Sequence, residues 1–202
     1  MTTTLRPDLP LVHVPTRVAW RQWLEREHTT STGVWAVTVK KAAFDPGADP
    51  FVSSVDLNEE CLCFGWIDSR PARIDDRHTA LLCTPRKPGS GWSKINKDRL
   101  ERLLTARLVA PAGLAAIERA KRDGSWSRLD DVDRLAVPDD LVATLDTLPP
   151  ARSNFDAFPP STRRSILEWI NAAKTTTTRT KRIAETAQLA QQNLRANQWP
   201  RR

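Results

Sequence analysis

The sequence predicts an α+β protein in which a small antiparallel sheet with packed helices is followed by a helical C-terminal part. The stretch at 34–40 is rich in β-branched residues, which favours a strand, and the stretches at 66–75 and 79–84 also read as strands. From residue 93 onward, apolar side chains instead recur at helical spacing. A polar turn joins the second and third stretches, so we expect them to form a hairpin beside the first.

The first elements follow from capping and spacing. Residues 1–15 are Pro-rich and are expected to form an extended arm. Thr16 is placed to cap a helix that puts Trp20, Trp23 and Leu24 on one face. The first strand follows that helix.

A short helix is expected between the first strand and the hairpin. It covers residues 57–64, with Ser54 or Asp56 as its cap and Gly65 as its end. Pro71 interrupts the next strand, which favours an edge position or a bulge there.

The rest of the chain reads as helices separated by prolines and glycines, and the run of four threonines at 175–178 is expected to be a hinge or a frayed turn. The predicted helices cover 94–108, 111–124, 141–148, 162–174 and a last segment from 183. We expect three parts in the chain, namely the arm 1–15, an α+β core domain 16–160 and a basic helical segment 161–202.

Composition excludes several classes of protein. No apolar run approaches the roughly 20 residues of a membrane span, and the N-terminal residues lack the apolar core of a signal peptide. Cys61, Cys63 and Cys83 cannot pair completely and are expected as buried, reduced thiols. No cysteine or histidine spacing matches a metal site, so we expect no metal and no cofactor. These features together predict a cytoplasmic protein.

The net charge of +7 is unevenly distributed along the chain. Residues 1–162 hold 22 basic and 22 acidic residues, whereas residues 163–202 hold nine basic and two acidic ones. A basic segment of this kind suits nucleic acid or another anionic surface, and the alternative is a solvated basic helix. The candidate nucleic-acid-binding residues are Arg163, Arg164, Arg179, Lys181 and Arg182.

Six segments form a set that occurs in the same order in one known family. They are the Trp-rich helix near residue 20, GVWAVTVKK at 33–41, CLCFGWID at 61–68, TPRKPGSGWSKIN at 84–96, PAGLAAIERAKRDGSW at 111–126 and RRSILEWINAAKTTTTRTKRI at 163–183. From about Thr16 to Ile183 the chain thus resembles the YdeI/OmpD-associated family, often labelled bacteriocin-protection proteins. The resemblance implies a cytoplasmic α+β protein linked by name to antimicrobial-peptide or envelope stress. It supplies no catalytic residue.

The loop at 85–96 is the sharpest candidate site. It combines basic residues, two glycines and a tryptophan, and it runs directly into a helix whose first N–H groups would face an anion. The spacing is not that of a P-loop. The alternative is a surface turn with a well-capped helix and a tryptophan folded onto the core. The candidate ligand-binding residues are Lys41, Arg86, Lys87, Trp92, Ser93, Lys94 and Asn96.

A catalytic role has one weak candidate. Asp68 follows Trp66 near the Pro71 interruption, where its carboxylate could act as a general base or orient Arg86 or Lys41. A structural ion pair or a turn cap is the commoner explanation for such a carboxylate.

We therefore expect a non-enzymatic cytoplasmic binder of an anionic ligand, such as a nucleotide, phosphate or nucleic acid. The alternatives are an enzyme acting on a phosphorylated or nucleotide-like molecule, and a module whose basic tail docks on a protein or membrane surface. An exposed apolar stripe at Ile183, Ala187 and Leu194 would favour the last. Nothing in the sequence sets the oligomeric state.

Overall fold

A computed structural model describes residues 5–47 and 51–197 of the chain. The chain divides between Ser127 and Arg128 into two compact units, the N-terminal unit and the C-terminal unit. This division lies before the boundary expected between residues 160 and 161. Its cause is packing, because the short helices that precede residue 160 share an apolar core with the basic helices that follow it.

The N-terminal unit contains a four-stranded sheet. Its strands are β1 (Leu11–His13), β2 (Val34–Val39), β3 (Trp66–Arg73) and β4 (His78–Pro85), in the spatial order β1-β2-β4-β3. Strands β3 and β4 form the predicted antiparallel hairpin, and β4 also pairs antiparallel with β2. The Pro-rich arm contains strand β1, which pairs in parallel with β2 at the edge of the sheet.

Four helices pack around this sheet: α1 (Arg17–Glu27), α2 (Ser54–Cys63), α3 (Lys94–Thr105) and α4 (Pro111–Arg122). Thr16 caps α1 as predicted, and its hydroxyl accepts from the Ala19 N–H at 3.0 Å. Helix α2 is capped by Ser53, whereas Ser54 or Asp56 was the expected cap. Asp56 instead completes a capping box with Ser53.

Large buried side chains fill the core between the helices and the sheet. Trp20 and Leu24 of α1 are fully buried there, as are Trp66 of β3 and Leu100 of α3. This core fixes α2, α3 and the end of β4 relative to one another, and those are the elements that position the candidate loop.

The edge strand β3 is irregular where the sequence predicts it. Its pairing with β4 shifts register between Asp68 and Pro71. Proline cannot donate to the ladder, so the bulge lies where the missing N–H costs least.

The C-terminal unit is helical, with α5 (Asp130–Asp133), α6 (Asp139–Asp146), α7 (Ala151–Ala157), α8 (Pro160–Asn171) and α9 (Thr176–Gln191). Leu141, Phe155, Ile166 and Ala187 are fully buried in its core. The threonine run is not a hinge, because Thr175 caps α9 and accepts from the Thr178 N–H at 3.2 Å. Among the described residues, no helix combines the length and apolarity that crossing a bilayer requires.

Candidate functional site

Arg86 is the residue around which the candidate site is built. It directly follows β4, and its N–H donates to the Gly65 carbonyl at 3.0 Å, which turns the chain inward. The residue is only 5% exposed. A sequence argument would place a basic loop residue at the surface, so its burial is a structural finding.

The guanidinium of Arg86 is only partly satisfied. Its Cζ lies 3.7 Å from the centre of the Trp92 ring, and Nη2 donates to the Gly91 carbonyl at 2.5 Å. In the described part of the chain, Nε and Nη1 are buried and have no acceptor. Burial lowers the pKa of Arg86 to about 10, and the charge of Asp68 opposes this only in part. The group is therefore a buried cation at neutral pH with unused donors.

A small cavity lies beside this cation. It is bordered by the loop, by α4 and by the residues after α4, and its volume is about 10 Å³. That is room for roughly one water-sized atom. The lining residues that bear on its chemistry are Arg86, Lys87, Trp92, Arg119, Asp123 and Ser125.

Asp123 holds the loop closed over the cavity. Its Oδ2 accepts from the Gly89 N–H at 3.1 Å, and its Oδ1 accepts from the Ser125 N–H at 2.9 Å. The Gly89 N–H of the predicted loop thus already donates to a carboxylate of the protein itself. No local pattern points to Asp123, because it lies 34 residues from Gly89.

Most other predicted loop residues have structural partners. Trp92 is 1% exposed and packs against Trp126 with ring centres 5.2 Å apart. Ser93 caps α3 by accepting from the Asn96 N–H at 3.4 Å, and Lys94 forms an exposed ion pair with Asp98 at 2.6 Å. Of the predicted basic residues, the exposed Lys87 borders the cavity together with the buried Arg86.

Asp68 and Asn96 meet through a residue that sequence reasoning missed. Asn58 of α2 is 3% exposed, and its Nδ2 donates to Asp68 Oδ1 at 2.5 Å and to Asn96 Oδ1 at 3.3 Å. Arg99 donates to Asn58 Oδ1 at 2.6 Å and so fixes the orientation of the amide. Neither Asp68 nor Asn96 lines the cavity beside Arg86. The arrangement connects α2, β3 and α3 as a buried polar network.

Lys41 lies away from Arg86. It belongs to a short 3-10 turn after β2 and borders a separate cavity of about 420 Å³, together with Phe51, Ser53 and Pro71. The structure therefore does not bring Lys41 to the loop at 85–96.

A larger cleft of about 680 Å³ lies between α1, α2 and α3. Its floor is a closed ion-pair network in which Glu60 accepts from Arg17 at 2.7 Å and from Arg21 at 2.9 Å. Arg17 also contacts Glu59 at 2.9 Å. Although burial opposes the charge of Arg17, its bonds to these two carboxylates raise its pKa above the ordinary value. Arg17 and Arg21 already pair with carboxylates in this cleft, so they have few donors left for an anion.

The predicted nucleic-acid-binding residues lie on neighbouring helices but are largely engaged. Arg164 bonds Asp133 at 2.8 Å, and Arg179 bonds Asp140 at 2.7 and 2.9 Å. The C-terminal unit as a whole has twelve basic and nine acidic residues, so most of its charge is balanced.

The remaining basic candidates differ in exposure. Arg182 donates to the Trp169 carbonyl, and its guanidinium lies 5.0 Å from the Trp169 ring centre. Lys181 is exposed, and Arg163 is half-buried with an Nε that lacks an acceptor in the described residues. Nucleic-acid binding by this set stays a prediction.

The apolar stripe that would favour a docking module is not continuous. Ile183 and Ala187 are buried in the core of the C-terminal unit, and only Leu194 is exposed, at 50%.

The cysteines are free and buried. Burial, followed by the charge of Glu60, raises the pKa of the Cys63 thiol to about 11. Within residues 5–47 and 51–197, no group of three or more His, Cys, Asp or Glu side chains converges as metal ligands would.

Two family models match the chain. Residues 12–116, just over half of it, match a domain of unknown function (DUF8412), and residues 134–193 match the family described as bacteriocin-protection, YdeI or OmpD-associated. The second match lies in the C-terminal unit, whereas the GVWAVTVKK, CLCFGWID and TPRKPGSGWSKIN segments lie within the first. No curated protein and no solved structure matches the chain. The chain thus belongs to the DUF8412 family, and residues 134–193 of its C-terminal unit are similar to the YdeI/OmpD-associated, bacteriocin-protection family.

Proposed function

We propose that this bacteriocin-protection family protein is a non-enzymatic binding protein whose N-terminal unit holds an anionic group of its ligand at Arg86. One observation carries the proposal: Arg86 is 5% exposed, and its Nε and Nη1 have no acceptor in the described part of the chain. Buried donors of this kind are rare in native proteins, and an unpaired buried cation is costly. An anion that pairs with it from outside the chain removes that cost.

The surroundings of Arg86 support the same proposal. Lys87 and Arg119 also border the cavity, so cations outnumber the single carboxylate of Asp123 there. Trp92 holds the guanidinium plane in place from one face. The anion would therefore meet a donor that is already oriented, which lowers the entropic cost of binding.

The three free thiols support work in a reducing compartment, which we propose to be the cytoplasm. Phosphate, nucleoside monophosphates and carboxylates are the ligand groups that a buried arginine with unused donors suits best.

Isothermal titration calorimetry tests this function with sodium phosphate, adenosine monophosphate and sodium acetate as probes. We expect saturable binding of at least one probe, and at least a tenfold weaker affinity for Arg86→Met. Lys121→Met removes an exposed cation of α4 that is not among the cavity's lining residues, and it should leave the affinity unchanged.

A thermal unfolding curve first shows that Arg86→Met is folded. Absence of saturable binding for all three probes, or equal binding by Arg86→Met and the wild type, would overturn the proposal.

A further inference from the structure

The cavity of about 420 Å³ in the N-terminal unit lies where the sheet meets the first turn of α2. A volume of this size suits a small organic molecule. Most of its wall is apolar, so a ligand there would bury an apolar body. The apolar side chains that border the cavity are Phe51, Val52, Leu57, Pro71 and Leu81.

Thr38 of β2 supplies a buried polar group at this cavity. Val34 and Ala36 of the same strand pack into the core under the helices, whereas Val37 packs on the opposite face of the sheet. Because side chains alternate along a strand, Thr38 points to the helix side, where the cavity lies. The residue is 7% exposed, and no group in the described part of the chain bonds its hydroxyl. A buried hydroxyl of this kind indicates a partner from outside the chain.

The charge around the cavity is positive. Lys40 and Lys41 border it, and none of its described lining residues is acidic. Ser54 also borders it and begins α2, so the positive end of the helix dipole meets the same space. Asp56, the first acidic residue of α2, is held by the capping box and pairs with Arg17 at 3.1 Å. The cavity therefore favours an anion and has no carboxylate of its own.

The two lysines differ in what they offer to an anion. Lys40 Nζ donates to the backbone carbonyls of Asp75 and Asp76, which hold it at the hairpin turn. Lys41 is exposed, and no described residue forms an ion pair with it. Its ammonium group lies at the end of a flexible stem and can approach a ligand in the cavity.

We infer that this cavity is a second ligand site, which takes a monocarboxylic acid with an apolar body. The carboxylate accepts from the Thr38 hydroxyl and faces Lys41, and the apolar body packs against the wall around Leu57 and Leu81. A doubly charged phosphate is a poorer match, because the apolar wall would desolvate it without pairing its charge. Arg86 is not among the lining residues, so the site is independent of the proposed function.

Calorimetry with sodium octanoate and 1-octanol tests the chemistry of the ligand. The two probes share an apolar chain, and only octanoate carries a charge. We expect saturable binding of octanoate and about tenfold weaker binding of 1-octanol, because the alcohol forms no charge-assisted bond. No saturable binding of octanoate, or equal affinity for the two probes, would overturn the inference.

Thr38→Val keeps the shape of the side chain and removes its hydroxyl. We expect the octanoate affinity to fall about fivefold, because the carboxylate loses one hydrogen bond. The midpoint of thermal unfolding should not fall, since no hydrogen bond within the protein is lost. A lower midpoint with unchanged octanoate affinity would show that the hydroxyl serves the fold, and it would overturn the site.

Lys41→Met removes the exposed cation and keeps most of the stem. Octanoate should bind about tenfold more weakly to this variant than to the wild type. Lys121→Met is the matched control, because Lys121 is an exposed lysine that does not line the cavity, and its octanoate affinity should be unchanged. Equal losses in the two variants would reduce the effect to net charge and contradict the site.

This inference and the proposed function fail separately. Octanoate binding that is lost in Arg86→Met and kept in Lys41→Met would place the ligand at Arg86, which overturns this inference and leaves the proposed function standing. Octanoate binding that is lost in Lys41→Met, with no response of Arg86 to phosphate, adenosine monophosphate or acetate, would support this site and overturn the proposed function.

Discussion

The guanidinium of Arg86 stacks 3.7 Å from the centre of the Trp92 ring, and both residues are buried. The two side chains that the sequence offers to a ligand as a cation and a stacking surface are therefore partners of each other. Trp92 supports the guanidinium of Arg86. The donors of Arg86 that remain for a ligand are Nε and Nη1. This relationship separates the residues that hold the site together from the one that can contact a ligand.

The Asn58 network is expected to stabilise the N-terminal unit. Asn58→Leu would leave Asp68, Asn96 and Arg99 without their shared buried partner. We expect a loss of about 2–4 kcal/mol in the free energy of unfolding, measured by urea denaturation.

Glu118→Ala is the matched control for that substitution. It breaks only an exposed pair with Lys121 and should cost less than about 0.5 kcal/mol. A loss of similar size in both variants would mean that the network contributes nothing specific.

Gly113 is expected to be intolerant of alanine even though it lies in a helix. A Cβ there would lie 2.3 Å from the Cys63 carbonyl oxygen, where α4 packs on the end of α2. Alanine normally favours a helix, so only this close approach predicts a loss, of about 2 kcal/mol.

Gly124→Ala separates packing from backbone strain. Gly124 has a φ of +75°, and a Cβ there would meet nothing within 4 Å. Urea denaturation should show a loss of about 1 kcal/mol from strain alone. A Gly113→Ala variant as stable as the wild type would contradict the packing described for α4.

The acidic partners in the C-terminal unit are expected to mask its arginines. Asp133→Asn combined with Asp140→Asn would release Arg179 from Asp140 and would leave Arg164 paired with Glu168. Binding of short duplex DNA should then strengthen, and its salt dependence should steepen by about 0.9 log units for each newly contacted phosphate. Fluorescence anisotropy at two salt concentrations measures both effects.

Strong, salt-steep DNA binding by the wild type, unchanged in the double variant, would show that masking is not what limits the interaction. In that case Lys181 and Arg163 would be the residues to substitute next.

The thiols are expected to be unreactive at neutral pH. Burial raises the pKa of Cys63 from 9.0 to about 11, so at pH 8 its thiolate is about 100-fold scarcer than in an unfolded chain. A thiol-specific chromogenic reagent should react slowly with native protein and fully with three cysteines after denaturation.

The same shift has a consequence for stability. The folded state favours the protonated thiol. The contribution of Cys63 to the free energy of unfolding is therefore complete below pH 9 and is lost as the pH rises toward 11. Fast native-state labelling at pH 8 would contradict the burial of these cysteines.

Local signals in the sequence predicted many elements correctly. Thr16 and Ser93 cap their helices, and Pro111 begins α4, because each of these effects depends only on neighbours within one turn. Pro71 likewise marks the bulge in β3. The α+β class follows from such local patterns.

The site depends on contacts between distant residues, which local patterns do not contain. Asp123 meets Gly89 from 34 positions away, and Asn58 meets Asn96 from 38. The charge count along the chain does not contain ion pairs between distant residues for the same reason. Asp140 neutralises Arg179 from 39 positions away, outside the window in which the basic residues were counted.

The central claim is that Nε and Nη1 of Arg86 donate to an acceptor that comes from outside the chain. Nuclear magnetic resonance observes this group directly, because a buried guanidinium Nε–H exchanges slowly and its signal can be assigned by its loss in Arg86→Met. In a buffer of low ionic strength, we predict that this signal shifts saturably when phosphate is added. An Nε–H signal that stays unchanged with every anion, while the protein remains folded, would contradict the account.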